Sequence, residues 1–228
     1  MVSASPSSSL RDGCPIQPLL LIDASGLARE ALAVIRAREV YDVIGFLDDD
    51  PSLARTNIEG VPVLGPIAVA AAHGSAQFLV CAGRGSAREG IVSRLAALGV
   101  CPSRYATIVH KSVEAPEGCV MGAGSIVLAG VVMTTAVTLG EHVVVMPNAT
   151  LTHDCALEDY ATVCAGVALG GTVVIGRGAY IGMNASVRER TVVGGGATLA
   201  MGAVLLHDLP AGETWAGAPA RRMSARDE

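Results

Sequence analysis

The stretch LTHDCALEDY, Leu151 to Tyr160, places an imidazole and a carboxylate side by side at His153 and Asp154. A carboxylate on one ring nitrogen fixes the imidazole tautomer and leaves the other nitrogen free as a base. Such a base takes a proton from an attacking amine or hydroxyl, which is the first requirement of acyl transfer. The remaining histidines offer less. His73 stands at an expected helix end, His142 at a filler position, and His207 beyond the last regular segment. His110 opens that segment, where it could edge a pocket. No three histidines have a spacing that would gather them on one metal, so no metal is expected. The cysteines, Cys14, Cys81, Cys101, Cys119, Cys155 and Cys164, form no CxxC pair and read as reduced thiols acting as small hydrophobes.

The element that must position His153 is a repeat. Every sixth residue from Val109 through Ala115, Met121 and onward to Leu205 is apolar. The fifth residue of each hexad, from Val113 and Cys119 to Ala203, is small or β-branched. A six-residue period of this kind is the signature of a parallel β-helix. Three hexads close one triangular coil, so residues 18 apart stack about 4.8 Å from one another. Sixteen hexads give a little over five coils. One coil beyond His153 lies Gly171, and one coil before it lies Thr135. The absent side chain at Gly171 is expected to leave a gap beside the imidazole, lined by backbone amides that could hold an oxyanion. The flat faces of such a prism are expected to pair around a threefold axis, giving a homotrimer.

The N-terminal half follows a different grammar. LLLI, YDVIGFLDDD, GVPVLG and AQFLVCAG read as strands. LAREALAVIRAR, PIAVAAAHG with its leading proline, and the Ser-capped SAREGIVSRLAALGV read as helices between and after them, the last closed by Gly99. Alternating strands and helices imply a parallel sheet in a small Rossmann-like α/β unit. The expected division is a disordered tail over 1–17, an α/β domain over 18–105 and a β-helix over 106–228.

Composition narrows the function. Hydrophobic residues make up 51% and aromatics 3%, a core of thin aliphatic layers. The formal charge of −5 and the lack of a Lys/Arg cluster argue against nucleic acid. No apolar run approaches the roughly 20 residues that span a bilayer, and the Ser-rich start has no apolar signal segment. A cytoplasmic location is expected.

Five segments then carry a resemblance: GFLDDD (Gly45–Asp50), GVPVLG (Gly60–Gly65), NATLTHDC (Asn148–Cys155), GVALGGTVVIG (Gly166–Gly176) and AGAPARRM (Ala216–Met223). The sequence resembles the bacterial sugar acetyltransferases of the sialic-acid O-acetyltransferase type, including N-acetyltransferases of nucleotide-linked 4-amino sugars. The resemblance implies a left-handed β-helix trimer that uses acetyl-CoA. It makes His153 the catalytic base and Asp154 its acidic neighbour. It lines a donor groove between subunits with Thr162, Gly171, Met183 and Met201, the Gly171 amide facing the thioester. It assigns the acceptor to the N-terminal unit, near Asp23, Ser25, Gly26, Leu27, Asp48 and Asp49. This chain departs from the pattern at three places. Asp23 stands where the family has a glycine that lets a phosphate approach, Leu27 replaces a histidine, and Lys111 stands where proline is common. The expected function is acetyl-CoA-dependent acetylation of a nucleotide-linked amino sugar. The alternatives are the same donor with a sugar hydroxyl or metabolite amine, and a non-catalytic β-helix that binds a ligand.

Overall fold

The computed structural model describes residues 16–223. Of the expected tail, residues 1–15 lie outside that range, as does Cys14, and Gln17 already opens the first strand. The N-terminal unit has strands β1 (Gln17–Ile22), β2 (Tyr41–Leu47), β3 (Asn57–Ile58), β4 (Val61–Gly65) and β5 (Gln77–Val80). They form one sheet in the order β3-β4-β2-β1-β5, parallel apart from β3. Helix α1 (Gly26–Arg38) follows β1, and α2 (Gly85–Ala97) follows β5. Strand β1 lies inside the sheet between β2 and β5, with Leu19, Leu20, Leu21 and Ile22 at 0% exposure. That is why its sequence is continuously apolar rather than alternating.

Two helix expectations need correction. PIAVAAAHG forms a 3₁₀ helix, Ile67–Ala72, with Pro66 just outside it and His73 as its C-terminal cap. The cap of α2 is Arg84, without a side-chain hydrogen bond, and Ser86 lies inside the helix. Close packing of this end on the solenoid, described below, takes the place of a capping hydroxyl.

From Ile108 the chain winds as a left-handed β-helix of two-residue strands. Partners are offset by 18 residues throughout, as in Thr138↔Ala156 and Leu139↔Leu157. Three sheets result. Face I runs from Ile108–Val109 to Thr198–Leu199 and on to Thr214–Ala216 and Arg221–Arg222. Face II runs from Val132–Met133 to Val204–Leu205, and face III from Val120–Met121 to Val192–Val193. The first coil is incomplete, since its face II segment makes only a Glu114↔Val132 bridge. Inside the prism, the second residue of each strand meets the small fifth residues. Val145, Leu151, Val163, Ile175 and Leu199 are all at 0% exposure. Each buried aliphatic side chain of this kind contributes about 1.5–3 kcal/mol.

Every sixth residue from Gly118 to Gly202 has positive φ. This is the corner residue, and its left-handed conformation turns the chain from one face to the next. Glycine supplies it at many corners; His142, Asp154, Tyr160, Thr172 and Arg190 adopt it with a side chain, Asp154 at φ 60°. The α/β unit sits on face I, where Ile108, Ile126, Leu128 and Val144 join a core with Leu27, Ala31 and Ile35 of α1. Among the described residues, faces II and III carry no such cover. No helix among the described residues is long and apolar enough to cross a membrane.

Candidate active site

His153 and Asp154 sit at the corner between faces II and III. His153 Nδ1 donates to Asp154 Oδ2 at 2.8 Å. A carboxylate only accepts, so this bond places the imidazole proton on Nδ1 and a lone pair on Nε2. Both side chains are more than half exposed, at 59% and 56%. The left-handed backbone at Asp154 brings its carboxylate back to the adjacent imidazole, so the turn itself makes the pair.

Gly171 stacks on His153 as the 18-residue offset requires, and Thr172 N–H donates to His153 O at 2.8 Å. The expected gap is filled, however. A Cβ built on Gly171 would fall onto Nε2 and Cε1 of His153. The glycine makes room for the imidazole itself, which lies across the next coil with Nε2 over the Gly171 backbone. The neighbouring amides of Gly170 and Thr172 are engaged in the ladder. The Gly171 amide between them makes no hydrogen bond among the described residues.

The other expected donor residues lie apart. Met183 and Met201 stack at the corner between faces I and II, where Gly202 N–H donates to Met183 O at 2.8 Å. They are 47% and 71% exposed. Within one chain, face II separates them from His153. Thr162 is not at a groove at all. It is fully buried on face I beneath α2, where its hydroxyl donates to Gly83 O at 3.1 Å.

At the carboxyl ends of β1, β2 and β5 the expected acceptor residues divide similarly. Open α/β sheets bind ligands in this crevice. Asp23 has φ 74°, the conformation that favours the glycine of the related pattern, held here with a carboxylate. Burial and the nearby Asp48 carboxylate push the Asp23 pKa up. Asp48 Oδ2 accepts from Ala24 N–H at 2.7 Å, and Oδ1 from Asp50 N–H at 2.8 Å. Ser25 Oγ donates to Cys81 O at 2.9 Å, joining the two crevice loops. Asp23, Ser25 and Asp48 therefore share one crevice, with Gly26 opening α1 beside them. Two residues leave the set. Leu27 is buried in the core at 6% exposure. Asp49 accepts from Ile67 N–H at 3.0 Å and pairs with Arg94 at 2.7 Å, and Arg94 holds its carboxyl below the usual range. Asp49 is a brace between β2 and α2.

The sequence reading missed a buried polar cluster at the corner between faces III and I. Arg88 of α2 is 0% exposed, and burial pushes its guanidinium pKa down to about 10, still charged at neutral pH. His142, expected to be filler, is 1% exposed. It stacks on Tyr160 at 5.3 Å and meets Tyr105 edge-on at 4.6 Å. The available signal was Arg88 itself, two helical turns before Leu95 and so on the buried face of α2. His110 does edge a cleft of about 310 Å³ with Glu30, Val34 and Pro147. Cys81, Cys155 and Cys164 are buried free thiols. No cluster of metal-ligating residues occurs among the described residues.

Residues 18–95 match the family described as PglD N-terminal domain. The acetyltransferase domain of PglB from Neisseria gonorrhoeae, solved in complex with acetyl coenzyme A, is 31% identical. It superposes with a TM-score of 0.82 over 92% of this chain and 100% of that one. GDP-perosamine N-acetyltransferase from Escherichia coli O157:H7 is 30% identical over 122 residues, 51% of this chain and 55% of that protein. UDP-3-O-acylglucosamine N-acyltransferase from a Caulobacter species is 32% identical over 105 residues, 46% of this chain. The match spans 30% of that protein, so both curated relatives are covered over about half their length or less. With an α/β unit seated on a β-helix, and with alignment to the whole of the PglB domain, the chain belongs to the bacterial hexapeptide-repeat sugar acetyltransferase family.

Proposed function

We propose that the protein transfers an acetyl group from acetyl-CoA to the amine of a nucleotide-linked amino sugar. The observation that carries this reading is the His153–Asp154 hydrogen bond, which leaves Nε2 with its lone pair at an exposed corner. The acceptor nitrogen attacks the thioester carbonyl and His153 Nε2 takes its proton. The tetrahedral intermediate collapses with loss of the CoA thiolate, which the imidazolium can reprotonate. Gly171 N–H is the donor assigned to the oxyanion.

Two further features support the reading. The PglB relative was solved with acetyl coenzyme A, and the E. coli relative is named for a nucleotide-linked amino sugar. The exposed Met183 and Met201 on one corner, and His153 on the next, suit a donor groove formed where two copies pair their uncovered faces. A homotrimer is the closed arrangement that satisfies both faces. A cytoplasmic location fits this reading, since acetyl-CoA and nucleotide sugars are both cytoplasmic metabolites.

A second reading keeps the donor and changes the acceptor to a sugar hydroxyl or a metabolite amine. The paired carboxylates of Asp23 and Asp48 favour it, since they would repel a phosphate entering the crevice. The test is thiol release from acetyl-CoA with UDP-, dTDP- and GDP-linked 4-amino sugars. Release with one of them supports the first reading. Protein that binds CoA but uses none supports the second. His153→Ala should lower kcat by about 10²–10⁴-fold while leaving acetyl-CoA affinity near wild type. Unchanged turnover would remove His153 from the mechanism.

A further inference from the structure

Arg88 is a buried cation whose partners among the described residues are uncharged. Its Nε donates to His142 O at 2.9 Å, and its Nη2 to Tyr160 O at 2.7 Å, Ala161 O at 3.0 Å and Thr162 Oγ1 at 3.0 Å. Its Nη1 turns the other way, to Ala82 O at 2.9 Å and Gly83 O at 3.0 Å. One planar fork thus joins two units of the molecule. Ala82 and Gly83 form the loop that leaves β5 at the ligand-binding end of the sheet, tied through Cys81 O to Ser25. His142 and Tyr160 are successive corner residues of the solenoid, 18 apart, both in the left-handed conformation. Gly85 completes the contact. A Cβ there would fall onto Tyr160 O and lie 3.0 Å from Gly178 Cα.

A buried charge held by dipoles contributes little to stability over an apolar residue of the same size. What it supplies is geometry, because the guanidinium fixes several acceptors in one plane. A lysine has three donors on a flexible stem and cannot hold both sides. A second clamp on the same surface leaves part of the docking intact without Arg88. Arg177 of the solenoid pairs with Glu89 of α2 and with Asp159, each at 2.8 Å.

We infer that Arg88 is a positioning residue. It locks the crevice loop after β5 to the solenoid corners at His142 and Tyr160, and so fixes where the acceptor sits relative to the acyl-transfer corner. The kinetic half of this inference rests on the acetyltransferase reading; the structural half does not.

The test uses the full chain with Arg88→Lys, Arg88→Met and, as an independent perturbation of the same contact, Gly85→Ala. In each, hydrogen exchange over residues 82–90 should quicken about ten-fold or more, while the face II strands exchange as in wild type. The kcat/KM for the acceptor should fall about ten-fold or more, while acetyl-CoA affinity stays within about two-fold. Unchanged exchange over 82–90 in both Arg88→Met and Gly85→Ala would overturn the inference. So would a loss of acetyl-CoA affinity in step with acceptor kcat/KM, which marks general unfolding. If the Arg88 variants are insoluble, Gly85→Ala decides alone. Wild-type protein that acetylates none of the nucleotide sugars would remove the acetyltransferase reading and leave the exchange result to decide the role of Arg88.

Discussion

At the scale of single residues, the proposed chemistry depends on a side chain lying across a glycine. Gly171→Ala puts a methyl group where the imidazole edge lies, with no positive φ to strain the backbone. His153 must then rotate away from its present seat. The prediction is a fall in kcat of about 10²-fold, in the range of a displaced general base, with the thermal midpoint close to wild type. Steady-state kinetics beside a thermal melt would check it, and wild-type kcat would show that the seat is irrelevant. The stacking of Gly171 on His153 was legible in the sequence, because an 18-residue offset is arithmetic once the hexads are in register. The filled gap was not, since the rotamer of an exposed imidazole depends on the carboxylate that holds its other nitrogen.

Among the elements, α2 and the corner between faces III and I decide how the halves meet. His142 is buried there between Tyr105 and Tyr160, over Gly124. Burial, then the nearby Arg88 charge, pushes its pKa down to about 4, with Asp159 opposing. The sign follows from linkage. The unfolded histidine takes a proton below its ordinary value of about 6.5, and the native one resists until about 4. This contribution is therefore fully present above that ordinary value and is lost as pH falls toward 4, by roughly 3 kcal/mol at most. His142→Phe keeps a flat ring and does not titrate. Its urea midpoint should fall less than wild type's between about pH 7 and pH 4.5. Equal falls would mean that His142 does not carry the effect. Composition could not reveal this corner, because a hexad filler position is exposed unless another domain covers it.

For the whole molecule, the proposed trimer would cover faces II and III. Their outward strand residues are apolar or small and uncharged. Val132 on face II is 50% exposed, and Val120 and Val192 on face III are 58% and 43% exposed. Sedimentation equilibrium should give three times the chain mass at micromolar concentration. Val132→Arg should shift it toward monomer and lower acetyl-CoA affinity at the same time, since the proposed groove lies between copies. A wild-type monomer with full activity would sink both the trimer and the shared groove.

The sequence alone determined the two folds and the register that stacks His153 on Gly171. Those follow from local periodicity, period six for the coil and strand–helix alternation for the sheet, and each residue pays the same geometric rule wherever it sits. Only the tertiary structure decided that Thr162 is buried, that Leu27 is core, that Asp49 braces α2, and that Arg88 joins the two units. The burial of Thr162 and the role of Arg88 depend on face I being covered by the α/β unit. That docking depends on shape across a surface, at Gly85, Tyr160 and Gly178 together, and no repeat within either half records it.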